Sequence, residues 1–156
     1  MSAHRMLRSL AIWCALTAVG APLSAQLSVL PGQGLAFGQL QVGVPTNVPP
    51  TDATRRAEYD VTGNGTYVLD FILPANLVSG TGALLPVTFP TNAGLVVWRT
   101  LPLQFSFNPN NPYTLWLPWL IGGASVYLGG TAHPSPTQAP GYYTATITLM
   151  IANGGF

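Results

Sequence analysis

The sequence predicts an all-β protein, and three observations carry that prediction. Apolar residues alternate with polar ones along most of the chain, whereas the spacing of an amphipathic helix is hard to find. Glycines and prolines, 17 and 15 of the 156 residues, are scattered throughout and would interrupt long helices. Turn signals recur at the spacing typical of β-sandwiches and separate about eight to ten short strands. We therefore expect an antiparallel β-sandwich.

The start of the chain has the pattern of a secretory signal peptide. Arg5 and Arg8 form a basic start, an apolar run too short to span a bilayer comfortably follows, and Ala25 offers a small residue for cleavage. We predict a signal peptide at residues 1–25 and one sandwich domain at residues 26–156. The exported domain is expected in the periplasm, at the cell surface or outside the cell.

The predicted mature domain carries very little charge. It contains no lysine, and its three arginines and four carboxylates give a net charge of −1. Nucleic acid is not an expected partner, because binding it needs clustered cations. Cys14 is the only cysteine and lies in the predicted signal peptide, so the exported domain has to fold without a disulfide. Such a neutral surface protects strand edges poorly unless an assembly covers them.

Two strands are predicted at the start of the domain. Residues 26–30 form a short first strand that stops at a proline. Residues 34–44 place Leu35 and Phe37 on one face, after which Gly38 shifts the alternation. A glycine at a change of phase is typical of a bulge or bend. We therefore expect the second strand to be bent.

The stretch RAEYDVTGNGTYVLDFIL has the pattern of a β-hairpin. Apolar residues alternate from Ala57 and again from Tyr67, on either side of Asn64-Gly65. This pair accepts positive φ at both central positions of a type I′ turn, which joins neighbouring antiparallel strands. We predict that the two strands pair with each other.

Further strands follow a second turn signal, SGTGA. They are predicted within LLPVTF, AGLVVWRTL, LQFSF and SVYLGG. Pro118 interrupts the apolar run TLWLPWLIGG, and proline cannot donate to a ladder. The first part of that run is therefore expected at a sheet edge or in a loop.

The final segment, YTATITLMI, shows the clearest alternation in the chain. Apolar residues occupy the odd-numbered positions, and threonines occupy most of the positions between them. This pattern is typical of a strand with one face against a core. These positions form a candidate strand-pairing face: Tyr143, Ala145, Ile147, Leu149 and Ile151. We expect this face to point into a protein interior, either of this molecule or of one that another molecule completes.

Several short motifs occur in an order that resembles a known family. They are Phe37-Gly38, Val61-Thr62-Gly63 with Tyr67, Gly129-Gly130, and Gln138, Gly141 and Tyr143. Together they resemble secreted bacterial domains of unknown function that are related to spore coat protein U and archaic chaperone-usher pilins. The resemblance covers most of the mature chain and is weakest from residue 95 to residue 123. It implies an immunoglobulin-like, pilin-like sandwich at the cell surface, with like subunits or a periplasmic chaperone as partners.

The resemblance also implies a role for the final segment. In pilin-like sandwiches the last strand borders a groove that a strand of another subunit fills. An ordinary terminal strand in a complete sandwich is an equal alternative. The short segment before Pro31 and the lack of a disulfide depart from the pilin pattern. The domain therefore either accepts a strand and donates only a short one, or residues 26–30 close its own sheet.

The sequence offers no constellation that indicates an enzyme. His133 and Ser135 lie in a proline-rich loop, and no nucleophile elbow accompanies them. One histidine and four scattered carboxylates have no recognised metal-ligand spacing. The glycine-rich PGQGLAFG lacks the flanking strand and helix of a phosphate loop. We therefore expect a non-enzymatic protein with no cofactor and no metal.

Aromatic residues form a second candidate contact face, made of Trp98, Tyr113, Trp116 and Trp119. If exposed, they would stack on sugars or contact another subunit, whereas core packing is the commoner use of such residues. We expect a secreted structural or adhesive protein, with a carbohydrate- or ligand-binding module as the alternative. Phe156 suggests a further alternative, a small outer-membrane β-barrel, because such barrels often end in phenylalanine. However, Phe156 is even-numbered, whereas the apolar residues of the preceding strand are odd-numbered, so no stable membrane insertion is expected.

Overall fold

The computed structural model describes residues 27–155, so the predicted signal peptide and Phe156 lie outside the described residues. This part of the chain contains thirteen strands and no helix, which confirms the all-β prediction. No helix that could cross a membrane is therefore found within it. The strands are β1 (Ser28–Pro31), β2 (Thr46–Val48), β3 (Ala57–Thr62), β4 (Gly65–Ile72), β5 (Asn76–Ser79), β6 (Leu84–Thr88), β7 (Gly94–Trp98), β8 (Gln104–Phe107), β9 (Tyr113–Leu117), β10 (Gly123–Leu128), β11 (Gly130–Ala132), β12 (Tyr143–Thr144) and β13 (Thr148–Asn153).

These strands form three antiparallel sheets in a sandwich-like arrangement. The first sheet has the order β1-β3-β10-β7-β8, the second β12-β5-β6-β11-β2, and the third β13-β4-β9. Between β10 and β11 the chain leaves the first sheet for the second at Gly129. A Cβ atom at this position would collide with the carbonyl oxygen of Val48, so the close crossing requires glycine.

Alternate side chains of the strands meet in one hydrophobic core. In β4 the buried residues are Tyr67, Leu69 and Phe71, as the alternation predicted. In β9 they are Leu115 and Leu117. Each fully buried leucine stabilises the fold by roughly 1.5–3 kcal/mol relative to an exposed one. Because no cysteine occurs after residue 14, this packing and the strand ladders hold the domain together.

The predicted hairpin around Asn64-Gly65 is wrong. β3 pairs with β1 and β10 in the first sheet, whereas β4 pairs with β9 and β13 in the third. Of the two turn residues only Gly65 has a positive φ, 129°, so the connection is not a type I′ turn. The hydroxyl of Tyr67 donates to the carbonyl oxygen of Asn64 at 3.0 Å and accepts from its N–H at 3.2 Å. These bonds stabilise a corner at which the chain passes between sheets.

The predicted second strand is also wrong, because residues 34–44 form no strand. Gly38 and Gly43 have φ values of 72° and 71°, which turn the backbone away from an extended path. The chain does change direction at Gly38, as expected, but the segment around it pairs with no other strand of the described residues instead of forming a bent strand. Phe37 is nevertheless buried in the core, which explains the apolar alternation of the segment.

Two other predictions are confirmed. The SGTGA turn joins β5 to β6, with the N–H of Ser79 donating to the carbonyl oxygen of Ala83 at 2.9 Å. The run before Pro118 is an edge strand, since β9 pairs with β4 alone within the described residues and ends at Leu117.

Candidate functional site

An open cleft of about 1000 Å³ is lined mainly by two segments of the chain, residues 34–42 and 138–147, which are irregular apart from β12. Strands β3, β5 and β6 add Tyr59, Leu77 and Leu85 to the lining. The volume lies at the upper end of the roughly 300–1000 Å³ of ordinary ligand pockets. No lining residue is an arginine, aspartate or glutamate, so the cleft offers apolar contact and neutral hydrogen-bonding groups.

Some main-chain groups beside the cleft have no main-chain partner among the described residues. Within residues 27–155, residues 37–40 and 145–147 take part in no backbone-to-backbone hydrogen bond and in no strand ladder. β13 begins directly after the second of these stretches and, in the part of the chain that the structure describes, has a ladder only with β4. Main-chain N–H and C=O groups that lack partners are the template that β-augmentation uses, and residues 145–147, none of which has a positive φ, suit it better than residues 37–40, where Gly38 has a φ of 72°.

Four members of the candidate strand-pairing face pack against the core. They are the half-buried residues Tyr143, Ile147, Leu149 and Ile151. The threonines between them, Thr144, Thr146 and Thr148, are exposed, so the predicted alternation is present. Ala145 departs from this pattern, because it is exposed although it lines the cleft.

The closing segment is not the single strand that the alternation predicted. β12 pairs with β5 in the second sheet, whereas β13 pairs with β4 in the third, and residues 145–147 connect them. Leu149 and Ile151 face Phe71 and Leu69 across the β13–β4 ladder and so belong to the molecule's own core. The rest of the candidate face, from residue 143 to residue 147, lines the cleft.

Hydrogen bonds fix the turn that leads into the cleft. The side-chain amide of Gln138 donates to the carbonyl oxygen of Leu84 at 3.0 Å and to the hydroxyl of Tyr143 at 2.8 Å. That hydroxyl donates in turn to the carbonyl oxygen of Ala139 at 2.6 Å. Gly141 has a φ of 152° within this turn. The motif residues Gln138, Gly141 and Tyr143 thus build one side of the cleft mouth, a role that their spacing alone did not reveal.

Tyr59 is one of the tyrosines that line the cleft. Burial raises the pKa of its hydroxyl above the usual value of 10.0, so the phenol stays neutral at physiological pH. Its ring packs edge-on against Phe71, with 5.9 Å between centroids. The side chain of Tyr59 therefore adds no charge to the cleft at physiological pH.

The candidate aromatic face is only partly formed. Trp116 and Trp119 are exposed, the latter by 73%. Trp98 is half-buried, and its indole N–H donates a hydrogen bond to the carbonyl oxygen of Trp116. Tyr113 was wrongly grouped with them, because its ring stacks on that of Phe107 with 4.6 Å between centroids. It lies on the inner side of β9, and burial raises the pKa of its hydroxyl.

Apart from Trp119, the sequence reasoning did not single out the exposed apolar residues of β8 and of the loops at residues 99–103 and 118–122. Leu101, Leu103, Phe105 and Leu120 are all exposed, Leu120 by 70%. A signal was present, because the segments LPLQF and PWLI carry several large apolar residues and no charge.

His133 has structural contacts in the loop after β11. Its Nε2 atom lies 2.8 Å from the hydroxyl oxygen of Thr88, and its backbone N–H donates to the carbonyl oxygen of Pro86. Among residues 27–155, no group of three or more His, Cys, Asp or Glu side chains converges in a way that could hold a metal ion.

Comparison with protein-family models gives no match for this chain, and comparison with curated proteins gives no significant similarity. The relationship to spore coat protein U and archaic pilins therefore stays a prediction.

Proposed function

We propose that this protein is an exported, non-enzymatic structural or adhesive subunit that accepts an extended segment of another molecule in its cleft. The observation that carries the proposal is the uncharged, largely apolar cleft beside backbone without hydrogen-bond partners in residues 145–147. Such a site favours a ligand that presents both apolar side chains and main-chain hydrogen-bonding groups, which is what a β-strand does.

The geometry supports a defined mode of binding. Main-chain groups of residues 145–147 would hydrogen-bond with the incoming segment, and each such bond contributes about 0.5–1.5 kcal/mol net. Alternate side chains of the segment would contact Leu77, Leu85 and Val87, which lie on neighbouring strands of the second sheet and line the cleft. The side-chain contacts would give specificity, and the side-chain contacts and main-chain hydrogen bonds together would give affinity.

The chain's own first strand is not free to fill this cleft in the conformation described. Residues 28–31 pair with β3, so this segment closes the first sheet of its own molecule. This arrangement matches the second of the two alternatives that the short segment left open. We therefore assign the accepted segment to another molecule, either a like subunit or a dedicated partner.

A labelled peptide with the sequence of residues 143–153 provides a probe. Apolar and polar side chains alternate along most of it, as expected of a strand that binds in an apolar cleft. We expect the purified protein to bind it with a measurable change in fluorescence anisotropy. Ala145→Arg should abolish the binding, since Ala145 lines the cleft and is exposed, so the change places charge in the site without disturbing the core. Ala152→Arg is the matched control, because Ala152 is also exposed in the terminal segment but lies outside the cleft lining.

Equal binding by the two variants would show that the peptide binds elsewhere. If the protein binds neither the peptide nor further copies of itself in an Ala145-dependent manner, the proposal fails.

A further inference from the structure

We infer that one end of the domain is a second association surface, at which two copies of this chain dock across a twofold axis. The surface, named here the end patch, consists of exposed apolar residues on β8 and on the loops at residues 99–103 and 118–122: Leu101, Leu103, Phe105, Trp119 and Leu120. None of them lines the cleft, so this inference goes beyond the proposed function.

Contacts of Trp98 and Arg99 bring the bases of the two loops together. Its ring packs edge-on against Phe105 at 5.6 Å between centroids, and its indole N–H donates to the carbonyl oxygen of Trp116 at 3.0 Å. The next residue, Arg99, donates its backbone N–H to the carbonyl oxygen of Gly123, directly after the second loop. The loops from two different parts of the chain thus form one end of the sandwich.

The exposed area approaches the size that an interface needs. The five residues of the end patch are 40–73% exposed and together expose on the order of 600 Å², which lies at the upper end of the range for the largest apolar patch of a typical monomer. Trp116, exposed on the outer side of β9, brings the area toward the roughly 800 Å² that each partner buries in a standard interface. Large aromatic and leucine side chains at its centre are suited to dominate the binding energy.

Charge favours a second copy as the occupant. No arginine, lysine, aspartate or glutamate occurs after Arg99 in the sequence. In a twofold interface a patch meets itself, so every charge near the axis would face a like charge, and an uncharged patch avoids that repulsion. A lipid surface would instead favour cations beside the apolar loops. Arg99, which begins the first of the two loops, places its Nη2 atom 3.4 Å from the carboxylate of Asp60, so its charge is paired within the molecule.

The edge strands beside the patch support the same conclusion. Within the described residues, β8 pairs only with β7 and β9 only with β4, so each has an open side. Neither QFSF nor YTLWL contains the charged residues or prolines that usually protect such edges. Edges without this protection are stable in solution when an assembly covers them.

Sedimentation velocity of the purified protein over a wide concentration range tests this inference. We expect a reversible dimer whose formation shifts tryptophan fluorescence to shorter wavelength. The double variant Trp119→Gln, Leu120→Gln should raise the dissociation constant by at least about tenfold, because it removes the two most exposed members of the patch. Ile72→Gln, an exposed apolar residue of β4, is the control and should leave the dimer unchanged.

Ala145→Arg should also leave the dimer intact, which separates failure here from failure of the cleft proposal. A protein that is monomeric at every concentration would overturn the inference, as would a dimer that the double variant does not weaken. Patch-dependent binding of a monomer to phosphatidylcholine–phosphatidylglycerol vesicles, or to soluble dextran, would assign the surface to lipid or sugar instead.

Discussion

The indole N–H of Trp98 donates a hydrogen bond of 3.0 Å to the backbone carbonyl oxygen of Trp116, and this bond joins the end of β7 to the open edge of β9. A side chain of the first sheet therefore satisfies a main-chain acceptor at the edge of the third. The bond holds together the end of the sandwich on which the exposed loops lie. Removing it should weaken this end without altering the cleft.

Trp98→Phe tests the contribution of that bond. Phenylalanine keeps an aromatic ring near Phe105 but has no N–H, so we expect the free energy of unfolding to fall by about 1 kcal/mol, plus the cost of the smaller ring. Urea denaturation measures the change. Trp119→Phe is the matched control, since Trp119 is mostly exposed, and it should change stability by less than about 0.5 kcal/mol. Equal losses in the two variants would contradict the assigned role of the bond.

The corner between β3 and β4 predicts a coupled pair of substitutions. A Cβ on Gly63 would lie 2.8 Å from the hydroxyl oxygen of Tyr67, so Gly63→Ala should destabilise the protein by about 1–3 kcal/mol. Tyr67→Phe removes that oxygen together with its two bonds to Asn64. In the Tyr67→Phe background, Gly63→Ala should cost at least about 0.5 kcal/mol less than in the original protein. A double-mutant cycle by urea denaturation measures this coupling, and strictly additive effects would exclude the contact.

Asp52 predicts a pH dependence in the loop before β3. Hydrogen bonds from the Thr54 hydroxyl and from Arg55 lower the pKa of Asp52 from 3.8 to about 2. Because the folded-state pKa lies below the unfolded one, the carboxylate stabilises the protein above about pH 4, and this stabilisation is lost as the pH falls toward 2. Thr54→Val should raise the pKa measured by NMR titration, since it removes the largest cause of the shift. Thr51→Val, in which the changed residue makes no hydrogen bond with Asp52, should leave the pKa where it is.

Alternation in the sequence was enough to predict the buried faces of β4 and β13. The burial of Leu69 and Phe71 in β4 and the inward packing of Leu149 in β13 follow from a period of two, because successive side chains of a strand point to opposite faces. The alternation could not show which strands pair with each other. The strands on either side of Asn64-Gly65 alternate as a hairpin would, yet each pairs in a different sheet.

The candidate sites were less predictable than the core. The cleft exists because residues 34–44 find no strand partner, and pairing depends on contacts with distant parts of the chain that local patterns do not contain. The end patch depends on two loops that are separated in sequence and meet beside Trp98. The sequence identified the exposed tryptophans as a candidate contact face but grouped Tyr113 with them. Because Tyr113 is two residues before Leu115 in β9, its side chain lies on the same inner side of the strand.

The two faces of β13 allow the sharpest test of the terminal segment. Leu149 lies opposite Phe71 and packs on the core, whereas its neighbour Met150 lies opposite Asp70 and is 46% exposed. Leu149→Lys should lower the free energy of unfolding by about 2 kcal/mol or more, because it removes apolar burial and brings a charge toward the core. Met150→Lys should change it by less than about 0.5 kcal/mol, since the new ammonium group faces solvent and a carboxylate on the neighbouring strand. Both variants place the same residue in the same strand, so strand propensity cancels and urea denaturation reports the difference between faces. If the two substitutions cost the same, the side chains of this strand do not alternate between core and solvent, and the packing of β13 on β4 described here is wrong.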